Sequence, residues 1–352
     1  MNVIQFFLGL ALLVSPVVAL AQTQDTSSAS ASVQVADVSD ASKVLPSQAR
    51  EKFASMRSDP DPAQLVRNAH YWVSNEDSHF VWRPHIQNMG GVLSGVGTDQ
   101  IYLLAGWSRP AVIVPLDFDR KIRDLHFAYG AAFLAAETPE AFLALWTKNG
   151  AKDMKAAIDA AFPAEAKIIH DAYKTAQSTV NTRLRRVIKQ YKALDIPTFL
   201  TDENEYRAIR QLWQNQRVFP ICGDLTGNRA MLDLAKALEE TGLKLTILYP
   251  SNAEHYFSYG PEYRRNILAL PFANNGLVLR TRQMGSLGLA AEGDYHYNMQ
   301  SGENFKIWLK TTRINDQHSM LRRRSKTSTT GLSVLDIVPD PSDKPPTIAA
   351  MP

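Results

Sequence analysis

The stretch GGVLSGVGTDQIYLLAGWSRPAVIVPLDFD, residues 90–119, decides the predicted fold. It contains two short apolar runs, 91–94 and 111–116, and each is followed by a loop of small or acidic residues. A continuous apolar run bounded by turn residues is typical of a strand that is covered on both faces. With a helix predicted to start near Asp99, the stretch indicates two parallel strands joined by a crossover helix.

The same alternation of strands and helices continues towards the C-terminus. Further strands are predicted at 217–222, 244–249, 276–282 and 304–312, the last two as an antiparallel edge pair. Helices are predicted at 120–135, 203–214 and 229–240, with Asp202 and Asn228 at the N-cap positions of the last two. The range 139–200 is too long for one crossover and is predicted to be a helical insertion. Together these elements predict a layered α/β fold with a mostly parallel sheet.

Both ends of the chain differ from this body. Residues 1–21 carry no Lys or Arg, contain a long apolar run, and end on Ala19-Leu20-Ala21, as a secretory signal peptide does. Pro16 and the small residues favour cleavage before Gln22 over the alternative of a retained membrane anchor. Residues 22–58 are predicted to be a disordered spacer, and residues 319–352 a disordered tail that is basic and rich in Pro. The folded domain is therefore predicted to span 59–318, in an exported protein that is periplasmic or secreted and has no membrane span after cleavage.

Composition excludes several classes of protein. The 352 residues include 38 Lys and Arg against 35 Asp and Glu, a formal charge of +3, which disfavours a nucleic-acid partner. Cys222 is the single cysteine, so an internal disulfide and a cysteine-based zinc site are excluded. The eight histidines form no HExxH pattern, so no metal is expected. A small-molecule ligand fits the composition better, and the oligomeric state is left open.

The first predicted loop, GVGTDQ, is the first candidate ligand contact. Gly95 and Gly97 let the backbone approach a ligand closely, and a helix that starts near Asp99 aims free N–H groups at it. Gln100 stands where a dinucleotide fingerprint has its third glycine. The alternative is that this loop is only a tight turn between strand and helix.

Acidic residues follow the second and third predicted strands. Asp117 lies twenty residues after Gly97, which suits a carboxylate that accepts hydrogen bonds from a ribose diol, while Asp119 is predicted to cap the next helix. In GDLTG, Asp224 is placed to accept from the amino group of a base and Thr226 to donate, or the two form a turn.

The fourth predicted strand leads into PSNAEHYF. Asn252 is placed to contact a ligand, and Glu254 or His255 is a candidate general base. The alternative is that Asn252 caps a short helix while Tyr256 packs. Asn75 and Glu76, upstream of the first strand, either line the same mouth or belong to a packed lead-in segment.

Three motifs in order, GGVLSGVGTDQIYLLAGWSRPAVIVPLDFD, FPICGDLTGNRAMLDLAKAL and LYPSNAEHYF, resemble the bacterial LIC_10091-like family of uncharacterised proteins. That family is similar in fold to class I S-adenosylmethionine-dependent methyltransferases. The resemblance covers roughly 71–312 and implies a Rossmann-like, methyltransferase-type three-layer sandwich. It implies a glycine motif at 95–100, a ribose-binding Asp117, an adenine-contacting Asp224, and a substrate-facing motif at Asn252 and Glu254. The chain departs from the methyltransferase pattern at Ser94 and Gln100.

Two functions follow from this reading. The first is methyl transfer from S-adenosylmethionine to an unidentified acceptor, with Glu254 or His255 as base. The second is an exported, non-catalytic module that binds a ligand or a protein on a methyltransferase-like fold, because the methyl donor is made in the cytosol. A hydrolase is a third and minor hypothesis, since Ser94 and Ser251 lie at strand ends without a recognisable base.

Overall fold

The computed structural model describes residues 38–290 and 292–340, so the predicted signal peptide lies outside the described residues. Eight strands form one sheet: β1 Val92–Gly95, β2 Val112–Asp117, β3 Ile221–Cys222, β4 Leu245–Ser251, β5 Phe272–Arg282, β6 His296–Ser301, β7 Ser325–Lys326 and β8 Leu332–Leu335. The sequence predicted the central strands because they are apolar and buried along their whole length.

The strand order is β3-β2-β1-β4-β5-β6-β8-β7. The first five strands in this order run parallel, β6 pairs antiparallel with β5, and β8 pairs parallel with β6. From β1 the chain proceeds outward to β2 and β3 on one side, and to β4 and β5 on the other. The topological switch point, where open α/β sheets bind ligands, therefore lies between β1 and β4.

Alternate strand residues feed two separate cores, one on each face of the sheet. Leu93, Ile113 and Ile247 pack into one core with the helical insertion. The neighbouring residues Val92 and Val112 pack into the other. Since successive strand side chains point to opposite faces, both faces must be covered, and the result is three layers. The prediction of an α/β fold with a mostly parallel sheet is confirmed.

The described part of the chain contains twelve α-helices: α1 Ser47–Ala54, α2 Arg83–Ile86, α3 Asp99–Ser108, α4 Arg120–Ala135, α5 Pro139–Leu145, α6 Ala151–Ala161, α7 Ala166–Ala193, α8 Glu203–Gln214, α9 Ala230–Thr241, α10 Pro261–Ala269, α11 Gly302–Leu309 and α12 Gln317–Leu321. Two caps occur as the sequence predicted. Asp119 accepts from the Lys121 N–H at 3.0 Å, and Asp202 accepts from the Glu205 N–H at 2.9 Å. Within the described residues, no helix has the length and apolar character needed to cross a bilayer.

The predicted spacer is wrong from residue 38 onward. In this part of the chain α1 packs against α9, and Leu45, Ala49 and Phe53 are buried. The Phe53 ring stacks on Phe219 with 5.1 Å between ring centroids. Because so few apolar residues carry this contact, composition alone did not reveal it.

The predicted disordered tail is wrong as far as residue 340. α12 ends in this range, β7 and β8 lie within it, and β8 extends the sheet beside β6. Leu332 and Leu335 are buried there, one in each core. A four-residue strand flanked by polar residues gives too short an alternation for the sequence to reveal.

Two further predictions fail for local reasons. The predicted strand at 304–312 is the helix α11, whose first turn is capped by Ser301, and the antiparallel partner of β5 is β6 instead. Asn228 does not cap α9. The buried carboxylate of Asp59 accepts from the Arg229 N–H at 3.0 Å and takes that role from far along the sequence.

Candidate functional site

A cavity opens at the carboxyl ends of β1, β2 and β4, which is the switch point of the sheet. Its lining includes Gly97 from the loop after β1, Asp117 from the end of β2, and Asn252 from the loop after β4. A second cavity is lined by Asp224 and Thr226 from the loop after β3. The two cavities share Phe118 and Tyr256, and together they are called the cleft below.

Asp117 is the buried carboxyl group of the first cavity. Its Oδ2 accepts from the Gly97 N–H at 3.2 Å and its Oδ1 accepts from the Asp119 N–H at 2.9 Å. Burial raises the pKa of Asp117 to about 7, and the nearby charge of Asp119 adds to the shift. Each oxygen thus has one donor among the residues that the structure describes, and the carboxyl group retains acceptor capacity towards the cavity.

The glycine loop packs closely against β4 and is covered by the side chain of Gln100. A Cβ at Gly95 would lie 2.7 Å from the Cβ of Tyr249, so glycine is required there for β1 to approach β4. Gly97 has a φ of +98° and lines the first cavity. The amide of Gln100 folds back onto the loop, where its Oε1 accepts from the Thr98 N–H at 2.9 Å. The loop is therefore both a tight turn and a cavity wall, while Gly95 itself does not line the cavity.

His126 is hydrogen-bonded to the backbone of the glycine loop. Its Nε2 lies 2.7 Å from the carbonyl oxygen of Gly97, and its Nδ1 lies 3.0 Å from the hydroxyl of Tyr102. Burial lowers the pKa of His126 to about 4, so the ring is neutral at pH 7. Since a carbonyl can only accept, Nε2 carries the proton and Nδ1 accepts from Tyr102.

Asp99 does not line the cleft, contrary to the expectation of a cofactor contact. Its Oδ1 accepts from the Ser74 N–H at 2.8 Å, and its Oδ2 pairs with the Arg183 Nε at 2.8 Å. Arg183 comes from α7 and is also buried. The carboxylate therefore joins the helical insertion to the start of α3, which is a structural task.

Asp224 and Thr226 lie in the second cavity and also contact each other. Asp224 Oδ1 accepts from the Thr226 N–H at 2.7 Å and from the Thr226 hydroxyl at 2.8 Å. The two residues thus form a turn and also line the second cavity. Phe118, Tyr256 and Phe257 give this cavity a largely apolar, aromatic wall.

Glu254 is not available as a base. It is 1% exposed, its Oε2 pairs with the Arg280 Nε at 2.7 Å, and its Oε1 accepts from the hydroxyl of Tyr263 at 2.6 Å. The hydroxyl of Tyr259 donates to the same oxygen at 2.8 Å. The sequence expectation failed because Arg280, the partner that holds this carboxylate, is 26 residues away on another strand.

His255 does not line either cavity. Its ring is exposed and stacks on that of Tyr256, with 5.3 Å between the centroids. Partial burial and the neighbouring Arg282 and Arg67 lower the pKa of His255. Neither predicted base therefore faces the cleft, whereas Asn252 does and donates from Nδ2 to the hydroxyl of Tyr295 at 3.2 Å.

The segment before β1 supplies a wall that sequence reasoning largely missed. Leu65, Val66, Tyr71 and Asn75 line the first cavity, and only Asn75 was a candidate. The segment is tied down at His70, whose Nδ1 lies 2.6 Å from Asp119 Oδ2. The structure shows that the aromatic side chain of Tyr71 lines the cavity while remaining 42% exposed, which the sequence does not reveal.

Glu76 lies beneath this wall as a fully buried carboxylate. Its Oε1 accepts from the hydroxyls of Ser251 at 2.6 Å and Thr281 at 2.5 Å. Its Oε2 accepts from the hydroxyl of Tyr249 and lies 3.2 Å from His79 Nε2. Burial opposes its charge, but these hydrogen bonds together hold the pKa of Glu76 below its ordinary value. Glu76 thus belongs to a packed lead-in segment and joins β4 to β5.

No group of three His, Cys, Asp or Glu that could hold a metal ion occurs in residues 38–290 and 292–340. The lining of the cleft combines three acidic residues, Asp117, Asp119 and Asp224, with amides and hydroxyls beside aromatic side chains.

The order of the strands and the cleft at the switch point define an α/β protein of Rossmann-like type. A family model described as a domain of unknown function, DUF7790, matches residues 71–336, and the chain belongs to that family. No curated protein matches the chain.

Proposed function

We propose that the protein is an exported member of the LIC_10091-like family. Its cleft binds S-adenosylmethionine or a closely related nucleoside on a methyltransferase-like fold. The observation that carries the proposal is the placement of Asp117. This carboxyl group ends β2, contacts the backbone of the glycine loop, and retains acceptor capacity towards the cavity. That is the position from which an acidic residue accepts from a ribose diol in nucleotide-binding α/β sheets.

The residues of the cleft fit such a ligand in kind. Asp117 would hold the ribose, Asp224 and Thr226 would face the polar edge of the base, and Phe118 would pack on its ring. Asn252 would face the remainder of the ligand or the acceptor. S-adenosylmethionine supplies an activated methyl group when it is bound. Because neither Glu254 nor His255 faces the cleft, the acceptor would have to be nucleophilic without a base from these positions.

Calorimetric titration with S-adenosylmethionine tests the proposal. The wild-type protein binds the ligand, and Asp117→Asn weakens the binding at least about tenfold, because hydrogen bonds to a charged acceptor are lost. Asp61→Asn is the matched control, since Asp61 is an exposed acid paired with Arg120 and lies outside the cleft. An absence of heat from the wild-type protein at high ligand concentration excludes the proposal. Equal affinities of the two variants exclude the role of Asp117.

The engagement of Glu254 by Arg280 favours a second candidate, a binding module without catalysis. In that case S-adenosylmethionine or another small molecule binds in the cleft but is not turned over. Incubation with S-adenosylmethionine and extracts of the native compartment separates the candidates, because methyl transfer releases S-adenosylhomocysteine and binding alone does not. Mass spectrometry of molecules that co-purify with the protein identifies the ligand in the second case.

Export is part of the proposal and has its own test. The apolar run before Gln22 and the small residues at 19–21 support cleavage by a signal peptidase. N-terminal sequencing of the protein recovered from its native compartment is expected to begin at Gln22. A protein that keeps Met1 and fractionates with the cytosol contradicts export.

A further inference from the structure

Two backbone N–H groups of the glycine loop are engaged by side chains of this protein. In nucleotide-binding sheets, backbone N–H groups after the first strand cradle a phosphate at the start of the following helix. Here the Gly97 N–H donates to Asp117 at 3.2 Å and the Thr98 N–H donates to Gln100 at 2.9 Å. Two of the donors that a phosphate would need are therefore already engaged within the chain.

Gln100 also occupies the space in which a phosphate would lie. A Cβ built on Gly97 would come 1.9 Å from the Gln100 Nε2, so the amide rests directly on the glycine. The same Nε2 donates to the Val96 carbonyl at 3.3 Å. The side chain is 3% exposed and is held at both ends of its amide, so it forms a fixed cover over the loop.

The charges around the cleft also disfavour the binding of a phosphate. Asp117 and Asp119 line the first cavity, Asp224 lines the second, and no Lys or Arg lines either one among the described residues. Asp99 adds a further carboxylate in the first turn of α3, where it complements the helix dipole. An anionic group at the glycine loop would meet no compensating cation.

We infer that Gln100 is a specificity-determining residue that closes the glycine loop to phosphate, so that the cleft accepts nucleosides and rejects nucleotides. This inference rests on the proposed function, because it narrows the class of ligand that the same cleft takes. It gives a physical role to the residue that breaks the dinucleotide fingerprint.

Titration of adenosine, S-adenosylmethionine and ADP into the wild type and three variants tests the inference. The wild-type protein is expected to bind adenosine at least tenfold more tightly than ADP, and Gln100→Ala narrows that ratio at least fivefold by uncovering the loop. Gln100→Glu retains an acceptor for the Thr98 N–H and adds a negative charge, so it rejects ADP at least as strongly as the wild type. Gln211→Ala, on the exposed face of α8, is the control and leaves the ratio unchanged.

The outcomes separate this inference from the proposed function. If the wild type binds ADP as tightly as adenosine, or if Gln100→Ala leaves the ratio unchanged, the role of Gln100 is overturned while the nucleoside site stands. If no adenosine compound binds, the proposed function falls, and broadening of the ³¹P signal of pyrophosphate decides the role of Gln100. Stronger broadening with folded Gln100→Ala than with the wild type supports a covered loop, and equal broadening excludes it. Melting curves establish that each variant is folded.

Discussion

Buried acidic groups lie at the carboxyl ends of the strands in two different states. On the β4–β5 side, Glu76 and Glu254 accept hydrogen bonds on both oxygens from the side chains that surround them. On the β1–β2 side, Asp117 has one backbone donor per oxygen and faces a cavity. A carboxylate whose oxygens already accept hydrogen bonds from several side chains holds strands together. A carboxylate that can accept further hydrogen bonds is able to bind a ligand.

The largest loss of stability is expected when the buried ion pair between Glu254 and Arg280 is broken. Glu254→Ala leaves the Arg280 guanidinium buried without its partner, which costs about 3–5 kcal/mol of unfolding free energy. Urea denaturation measures this loss. Glu203→Ala removes an exposed pair with Arg207 and serves as the control, with a cost below about 1 kcal/mol. A comparably small loss for Glu254→Ala removes the distinction between the two states.

The next largest loss of stability is expected from a substitution of Glu76, the second buried glutamate on this side of the sheet. Glu76→Gln replaces an oxygen that accepts from hydroxyl groups by an amide that can only donate, so buried donors lose their partner. We expect a loss of about 2–3 kcal/mol in the same denaturation experiment. If Ser251→Ala combined with Glu76→Gln costs the sum of the two single changes, the residues do not act as one network.

The pH dependence of ligand binding tests the carboxyl group that faces the cavity. The pKa of Asp117 is raised from 3.8 to about 7 in the folded protein, so the folded state retains a proton that the unfolded chain loses. This group therefore contributes stability that declines as the pH rises from about 4 to 7. Binding of a diol donor has the opposite dependence, because it needs the ionised form, and the affinity weakens up to tenfold per pH unit below the pKa. Calorimetry at several pH values measures this slope, and Asp117→Asn abolishes it.

The smallest effect is expected at the tie between the cavity wall and Asp119. His70→Ala removes a half-exposed contact and costs about 0.5–1 kcal/mol, because solvent screens such pairs. Hydrogen exchange of residues 64–71 is expected to accelerate in the variant while exchange in β1 stays unchanged. If hydrogen exchange of residues 64–71 is unchanged, the contact between His70 and Asp119 does not hold this segment in place.

Local patterns predicted the parts of the molecule that depend on local physics. The helices at 120–135 and 203–214 and the central strands followed from periodicity and caps, and Asp117 followed from its place after a buried strand. The sequence did not reveal β6, because only Tyr297 and Met299 are apolar in it, while the intervening Asn298 and Gln300 are polar residues that are nevertheless buried. It also missed the pairing of Glu254 with Arg280 and the capping by Asp59, since each joins residues from separate elements. Such long-range polar contacts are properties of the assembled fold, and they decided which acidic residues remain for a ligand.

The docking of β8 beside β6 has a practical consequence for anyone who shortens the chain. A fragment cut at residue 318, where the amino-acid composition first turns polar, would lack β8 and expose the hydrogen-bonding groups of β6 along its open side. An uncovered strand of this kind invites pairing with another copy, so the shortened protein is expected to self-associate and precipitate. A fragment that ends at residue 340 keeps β8 and therefore leaves β6 paired on both sides.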